Sequence, residues 1–132
     1  MRKAGWEVIL NNHIKLAFEK PFKWGEHDCA LWMGKVVRDI SGIDTVSQFE
    51  GLYSTKTKAY ELLKPYGGIL GLLDNHPDLI PVDVKMAQRG DIVYEAKSKA
   101  VGICVGAKCA FITQGGLVFL EMFEIKKAWG VR

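Results

Sequence analysis

Around Gly90 the sequence changes period, and that change limits the possible folds more than any other feature. Before it, apolar residues recur at helical spacing; after it, they alternate between tight turns. Residues Gly5 to Glu19 put Trp6, Leu10, Ile14, Ala17 and Phe18 on one stripe, as in an amphipathic helix, and Pro21 ends the run. A second helix is expected from about Cys29 to Ile40, with Trp32, Met33, Val36 and Val37 on its apolar face and Gly42 at the C′ position. Gly42 to Tyr53 reads as loop and turn. Ser54 or Thr55 then caps a third helix carrying Ala59, Tyr60, Leu62 and Leu63, which stops at Pro65. Gly67-Gly68 sets off a short apolar piece, Ile69 to Leu73, and Asp74 to Pro77 reads as a turn.

From Gly90 onward the expected strands are Asp91–Glu95, Val101–Val105, Cys109–Thr113, Leu117–Met122 and a closing Ala128–Val131. Val101, Ile103 and Val105 fall on one face of their strand, and Gly102 and Cys104 on the other. Helices first and an antiparallel meander afterwards is an α+β pattern: N-terminal helices on a C-terminal sheet of about four to six strands. A chain of 132 residues with 48% hydrophobic and 25% charged residues builds this as one domain, residues 1–132.

Composition narrows the function classes. The net charge of +3 comes from lysines scattered along the chain, so no basic face for nucleic acid is expected. Three cysteines imply no disulfide framework. The N-terminal residues do not form a signal peptide, and no stretch has the apolar length of a membrane span. The expected setting is a reducing one, simplest as the cytoplasm, although an accessory export route would leave no such mark. The apolar glycine stretch from Gly67 to Gly71 lacks the Gly-Lys-Ser/Thr of a phosphate loop. Glu26 and Asp28 have no partner acid that would make a glycosidase pair. No cofactor is implied.

Cys29 is the residue that carries chemistry. It opens a helix after Trp24-Gly25-Glu26-His27-Asp28, and Asp28 has the short acceptor side chain of an N-cap. A thiol in the first helical turn faces free backbone N–H groups and the positive end of the helix dipole, which favour the nucleophilic thiolate. The same position starts a buried face, where a cysteine is simply a small hydrophobe. The sequence leaves both readings open.

Trp24-Gly25, Asp28-Cys29, Arg89-Gly90-Asp91-Ile92-Val93, then Val101-Gly102-Ile103 and Gly106 together resemble the NlpC family of papain-like cysteine peptidases, which cleave cell-wall peptides. The pattern is still closer to an uncharacterised phage and prophage family related to NlpC, often encoded among tail genes and ending in a motif like Ala128-Trp129. The resemblance spans roughly residues 20 to 131. It implies a papain-like fold of NlpC type, with Cys29 in the nucleophile position, Asp28 orienting or capping, and Trp24, Trp32, Ala100 and Thr113 lining a cleft.

One departure decides the functional expectation. The active peptidases carry their histidine base directly before the Val-Gly-Ile strand, and here that position is Ala100. The residue that orients the base would fall near Ile112 or Thr113, of which only Thr113 is polar. A thiol enzyme needs a base in hydrogen-bond reach and a partner that orients it. His27 is the one substitute with a positional argument, through the loop before the helix. His13 borders the apolar stripe of the first helix, and His76 reads as a surface loop residue. His27, Cys29, Cys104 and Cys109 lack the close-spaced pair of a zinc site, so no metal is expected. Cys104 and Cys109 flank a hairpin turn, where two reduced thiols are expected to face one another.

The expectation is therefore a degenerate, noncatalytic NlpC-like protein of phage or prophage assembly, whose cleft binds a peptide or a partner such as a tail protein. The rival is a working thiol hydrolase of peptidoglycan or an amide, with Cys29 as nucleophile and His27 as base.

Overall fold

The structure, a computed structural model, describes residues 2–132. Four helices, α1 (Trp6–Glu19), α2 (Cys29–Ser41), α3 (Lys56–Leu63) and α4 (Gly68–Asp74), precede or flank a six-stranded antiparallel sheet. Its strands are β1 (Ile80–Val82), β2 (Ile92–Glu95), β3 (Ala100–Cys104), β4 (Lys108–Thr113), β5 (Gly116–Glu121) and β6 (Lys127–Gly130), in the order β1-β6-β2-β3-β4-β5. The α+β expectation holds, and the break in period at Gly90 precedes five of the six strands, β2 to β6.

α2 is the central element. Leu31, Trp32, Met33, Val36, Val37 and Ile40 are buried along it, and it packs on β3 and β4. Both of its ends are as expected: Asp28 Oδ1 accepts the Leu31 N–H at 2.9 Å, and Gly42 closes the helix with φ 81°. Its sheet partners are Ile92, Val101, Ile103, Ala110, Ile112 and Trp129, all on one face. Val93, Cys104, Cys109, Phe111, Ile125 and Ala128 form a second cluster on the other face. The strand alternation thus divides the apolar residues into two cores, as a period of two requires.

The Asp of the Arg89-Gly90-Asp91 segment is structural. Asp91 is fully buried, and its carboxylate accepts from Arg2 Nη2 (2.8 Å), Arg132 Nη2 (2.7 Å), the Val131 N–H (3.0 Å) and the Gln88 N–H (2.8 Å). One carboxylate thereby ties both ends of the chain to the start of β2. Two guanidinium partners and two amides satisfy the buried charge. Trp129, also fully buried, donates its indole N–H to Asp74 at 3.0 Å, which anchors the end of α4 to β6.

Two sequence readings need correction. Phe18 is 63% exposed rather than part of the core, because it lies where α1 meets the edge strand β5, against Phe119 at a ring distance of 6.0 Å. The strand β1 was not expected: Pro81 argues against a strand, yet β1 lies at the sheet edge, where a missing N–H is tolerated.

Candidate functional site

The loop before α2 is shaped by Gly25. Its φ is 84°, and a Cβ there would stand 2.0 Å from the Tyr53 carbonyl oxygen. Only glycine permits both the left-handed turn and that approach. The turn points Asp28 inward, where it serves three donors at once: the Leu31 N–H, the Gly25 N–H at 2.9 Å and the Tyr53 hydroxyl at 2.6 Å. Asp28 is 1% exposed. It is a cap and a loop clamp, and Tyr53 joins it from a distant loop.

Cys29 follows, half-buried, with its sulfur against the backbone N–H of Val101 on β3. Val101 is the residue after Ala100, so the sheet reaches the thiol at the position where the resemblance expects a base. Gly102 permits close sheet packing there, because a Cβ would stand 2.3 Å from the Ala110 carbonyl oxygen and 2.8 Å from the Phe111 ring.

Beside the thiol opens a cleft of about 840 Å³. Phe22 and Trp24 wall one side, their rings edge to face at 5.0 Å. Tyr53, α3 and α4 form the far wall, with Leu63, Ile69 and Leu70 facing in, and Ala100, Val101, Ile112 and Thr113 form the sheet wall. The lining is mainly apolar, and its polar members include Lys56, Lys64, Ser98, Lys99 and Gln114.

The electrostatics oppose an activated thiol. Burial pushes the Cys29 pKa up, and the Asp28 carboxylate adds to the rise, while the Val101 N–H acts the other way. A helix start normally favours the thiolate, but Asp28 already accepts from this one and places a negative charge beside the sulfur. The Tyr53 hydroxyl is pushed up as well, by burial first and then by its hydrogen bond to Asp28. Both shifts favour the protonated thiol and the protonated phenol.

No histidine lines this cleft. His27, the candidate base, is 5% exposed in a groove with His13, Lys20, Trp32 and Lys35, away from the Cys29 cleft. Its Nε2 is buried without a hydrogen-bond partner. Burial lowers its pKa, and Lys20 and Lys35 lower it further. The reason is helical geometry: residues two apart around a helix start point to different sides. Trp32 is corrected with it, as a core residue on the His27 side rather than a cleft wall. His13 Nε2 pairs with Asp39 at 2.7 Å. His76 Nε2 donates to the Asp44 carbonyl at 2.7 Å, and its Nδ1 accepts the Asp78 N–H at 3.1 Å, so it staples two loops.

Trp24, Ala100 and Thr113 do line the cleft with Cys29 and Asp28. Thr113 has no hydroxyl to spare, because Oγ1 donates to the Gly116 carbonyl at 2.8 Å and accepts the Gly115 N–H at 3.2 Å. The walls from Tyr53, α3 and α4 were not foreseen. They lie in loops and short helices whose sequence gives no sign of which way they fold back.

The chain belongs to a family described as a domain of unknown function, DUF6950, whose model matches residues 1–131. No curated protein matches the chain at a significant level. Among the described residues, no helix is long and apolar enough to cross a membrane.

Proposed function

We propose that this chain is a noncatalytic domain of NlpC-like, papain-like type that binds an apolar peptide segment of a partner protein in the cleft beside Cys29. One observation carries the reading: the cleft presents a thiol with Ala100 where a base would stand, and all three histidines are engaged or buried elsewhere. Without a base in reach, the thiol cannot be deprotonated in step with attack. Its raised pKa leaves little thiolate to begin with. What survives is a preformed apolar groove with a few polar groups, the usual form of a binding site. The lysines at its edge, Lys56, Lys64 and Lys99, suit a segment flanked by acidic residues. The motif resemblance supports a place in phage or prophage assembly, with a tail protein as the partner class.

The test is the rate of Cys29 alkylation by iodoacetamide against pH, in wild type and in Ala100→His. Slow labelling that rises only at alkaline pH in wild type, with faster neutral-pH labelling in Ala100→His, is the expected pair of results. Fast wild-type labelling with an apparent pKa well below about 8.5 would instead establish the thiol hydrolase.

A further inference from the structure

The opposite face of the sheet carries a sulfur cluster that the cleft does not use. Cys104 on β3 and Cys109 on β4 are paired directly across the two strands. Both are buried in the same apolar cluster, 1% and 0% exposed. The Val105 N–H donates to the Lys108 carbonyl at the turn, so the next pair inward, Cys104 with Cys109, is of the type that lies between ladder hydrogen bonds. In such pairs the side chains stand closest, with Cα atoms about 4.5 Å apart. A third sulfur approaches from the end of β5: Met122 Sδ lies 3.8 Å from Cys109 Sγ.

We propose that Cys104, Cys109 and Met122 form a three-sulfur site for a soft monovalent metal ion of the copper(I) class. Two thiolates and a thioether are the ligand set that soft ions prefer over harder ones. The Cys109–Met122 spacing of 3.8 Å agrees with this, because sulfurs sharing an ion through bonds of about 2.3 Å stand roughly 3.8–4.0 Å apart in tetrahedral or trigonal geometry. The packed side chains around the sulfurs, Val93, Phe111, Ile125 and Ala128, are apolar, and the one oxygen bonded there is the Gly106 carbonyl, which accepts from Cys104 Sγ at 3.4 Å. Asp91, just before β2, has its carboxylate committed to Arg2 and Arg132. Among the described residues, no group of three or more His, Cys, Asp or Glu side chains forms a metal site, so zinc and magnesium are not served. Access is short, because Gly106, Ala107 and Lys108 at the hairpin tip are exposed and Met122 is half-exposed.

Loading releases the two thiol protons to solvent and forms two metal–thiolate bonds and one thioether bond. Neither sulfur nor metal changes oxidation state. The complex carries one net negative charge.

The test uses anaerobic, phosphine-reduced Cys29→Ser protein, which removes the third thiol. Copper(I) is supplied as its bicinchoninate complex, and silver(I) serves as a redox-inert probe. The expected result is one equivalent of either ion withdrawn, with an all-sulfur shell by X-ray absorption. Cys109→Ser should weaken copper(I) binding by about a hundredfold and the near-isosteric Met122→Leu by about tenfold. If Cys109→Ser fails to fold, Met122→Leu and the sulfur shell carry the test. No withdrawal from bicinchoninate, a shell containing nitrogen or oxygen, or unchanged binding in Met122→Leu would overturn the site. So would a reduced protein that holds no metal and simply closes a Cys104–Cys109 disulfide in air.

Discussion

Cys29 opens α2 and faces the cleft, whereas Cys104 ends β3 and faces the opposite side of the sheet. Elementary expectation makes the first acidic and the second inert, because a helix start favours a thiolate and a strand interior does not. The structure reverses the order. Burial and Asp28 push the Cys29 thiol up. The Cys109 thiol, which donates to Met122 Sδ at 3.8 Å, lies across the pair from Cys104 and lowers that thiol's pKa, while Cys109 itself is pushed up by the same neighbour. A helix dipole is a weak, fixed field, and a capping carboxylate can consume it. A neighbouring thiol is a donor that reorients to serve the charge. Acidity therefore follows the immediate partner more than the secondary structure.

The largest way to break the comparison is to remove the anchor next to the sheet pair. Asp91→Ala leaves Arg2 and Arg132 without their buried partner, and a loss of about 3–5 kcal/mol of stability is expected by chemical denaturation. Gly25→Ala attacks the other region. With a Cβ placed 2.0 Å from a carbonyl oxygen at positive φ, it should cost about 1–3 kcal/mol and disorder the Cys29 loop first. Asp28→Asn is the sharper variant, because asparagine also caps helices but brings no charge. Cys29 alkylation at neutral pH should then speed up, as the carboxylate that raises its pKa is gone. If the rate does not move, Asp28 is not what suppresses the thiolate.

The pH dependence separates the regions further. Cys29 has a folded pKa above its unfolded value, so the folded state holds its proton more tightly. That stabilisation is complete below the unfolded pKa of about 8.5 and is lost as pH rises through the folded value. Cys29→Ser should flatten the alkaline decline in thermal stability. His27 gives the smallest effect, with the opposite sense: its lowered pKa stabilises the fold above about pH 6.5, and this is lost as pH falls. His27→Gln should reduce the acid-side slope of stability and leave Cys29 labelling unchanged. A change in labelling would mean that His27 reaches the thiol.

Much of this arrangement was legible along the chain. The caps of α2, its apolar face and the alternation of β2 to β4 are local patterns, and each fell within a residue or two of expectation. The pairing of Cys104 with Cys109 followed from the short turn between them. The cleft was legible only along its sheet wall and the Trp24–Cys29 loop. Tyr53 meets Asp28 across a separation of 25 residues, and no local pattern encodes that contact.

By itself, then, the sequence determined the α+β order, the two-faced sheet, the helix start at Cys29 and an alanine, with no titratable group, at position 100. Those depend on residue type and on periods of two or 3.6, which neighbouring residues set. Only the tertiary structure decided that His27 and Trp32 turn away from the thiol, that Asp28 and burial raise its pKa, and that Met122 reaches Cys109. Those depend on which distant groups arrive within a few ångströms, because desolvation and hydrogen bonding act only at that range.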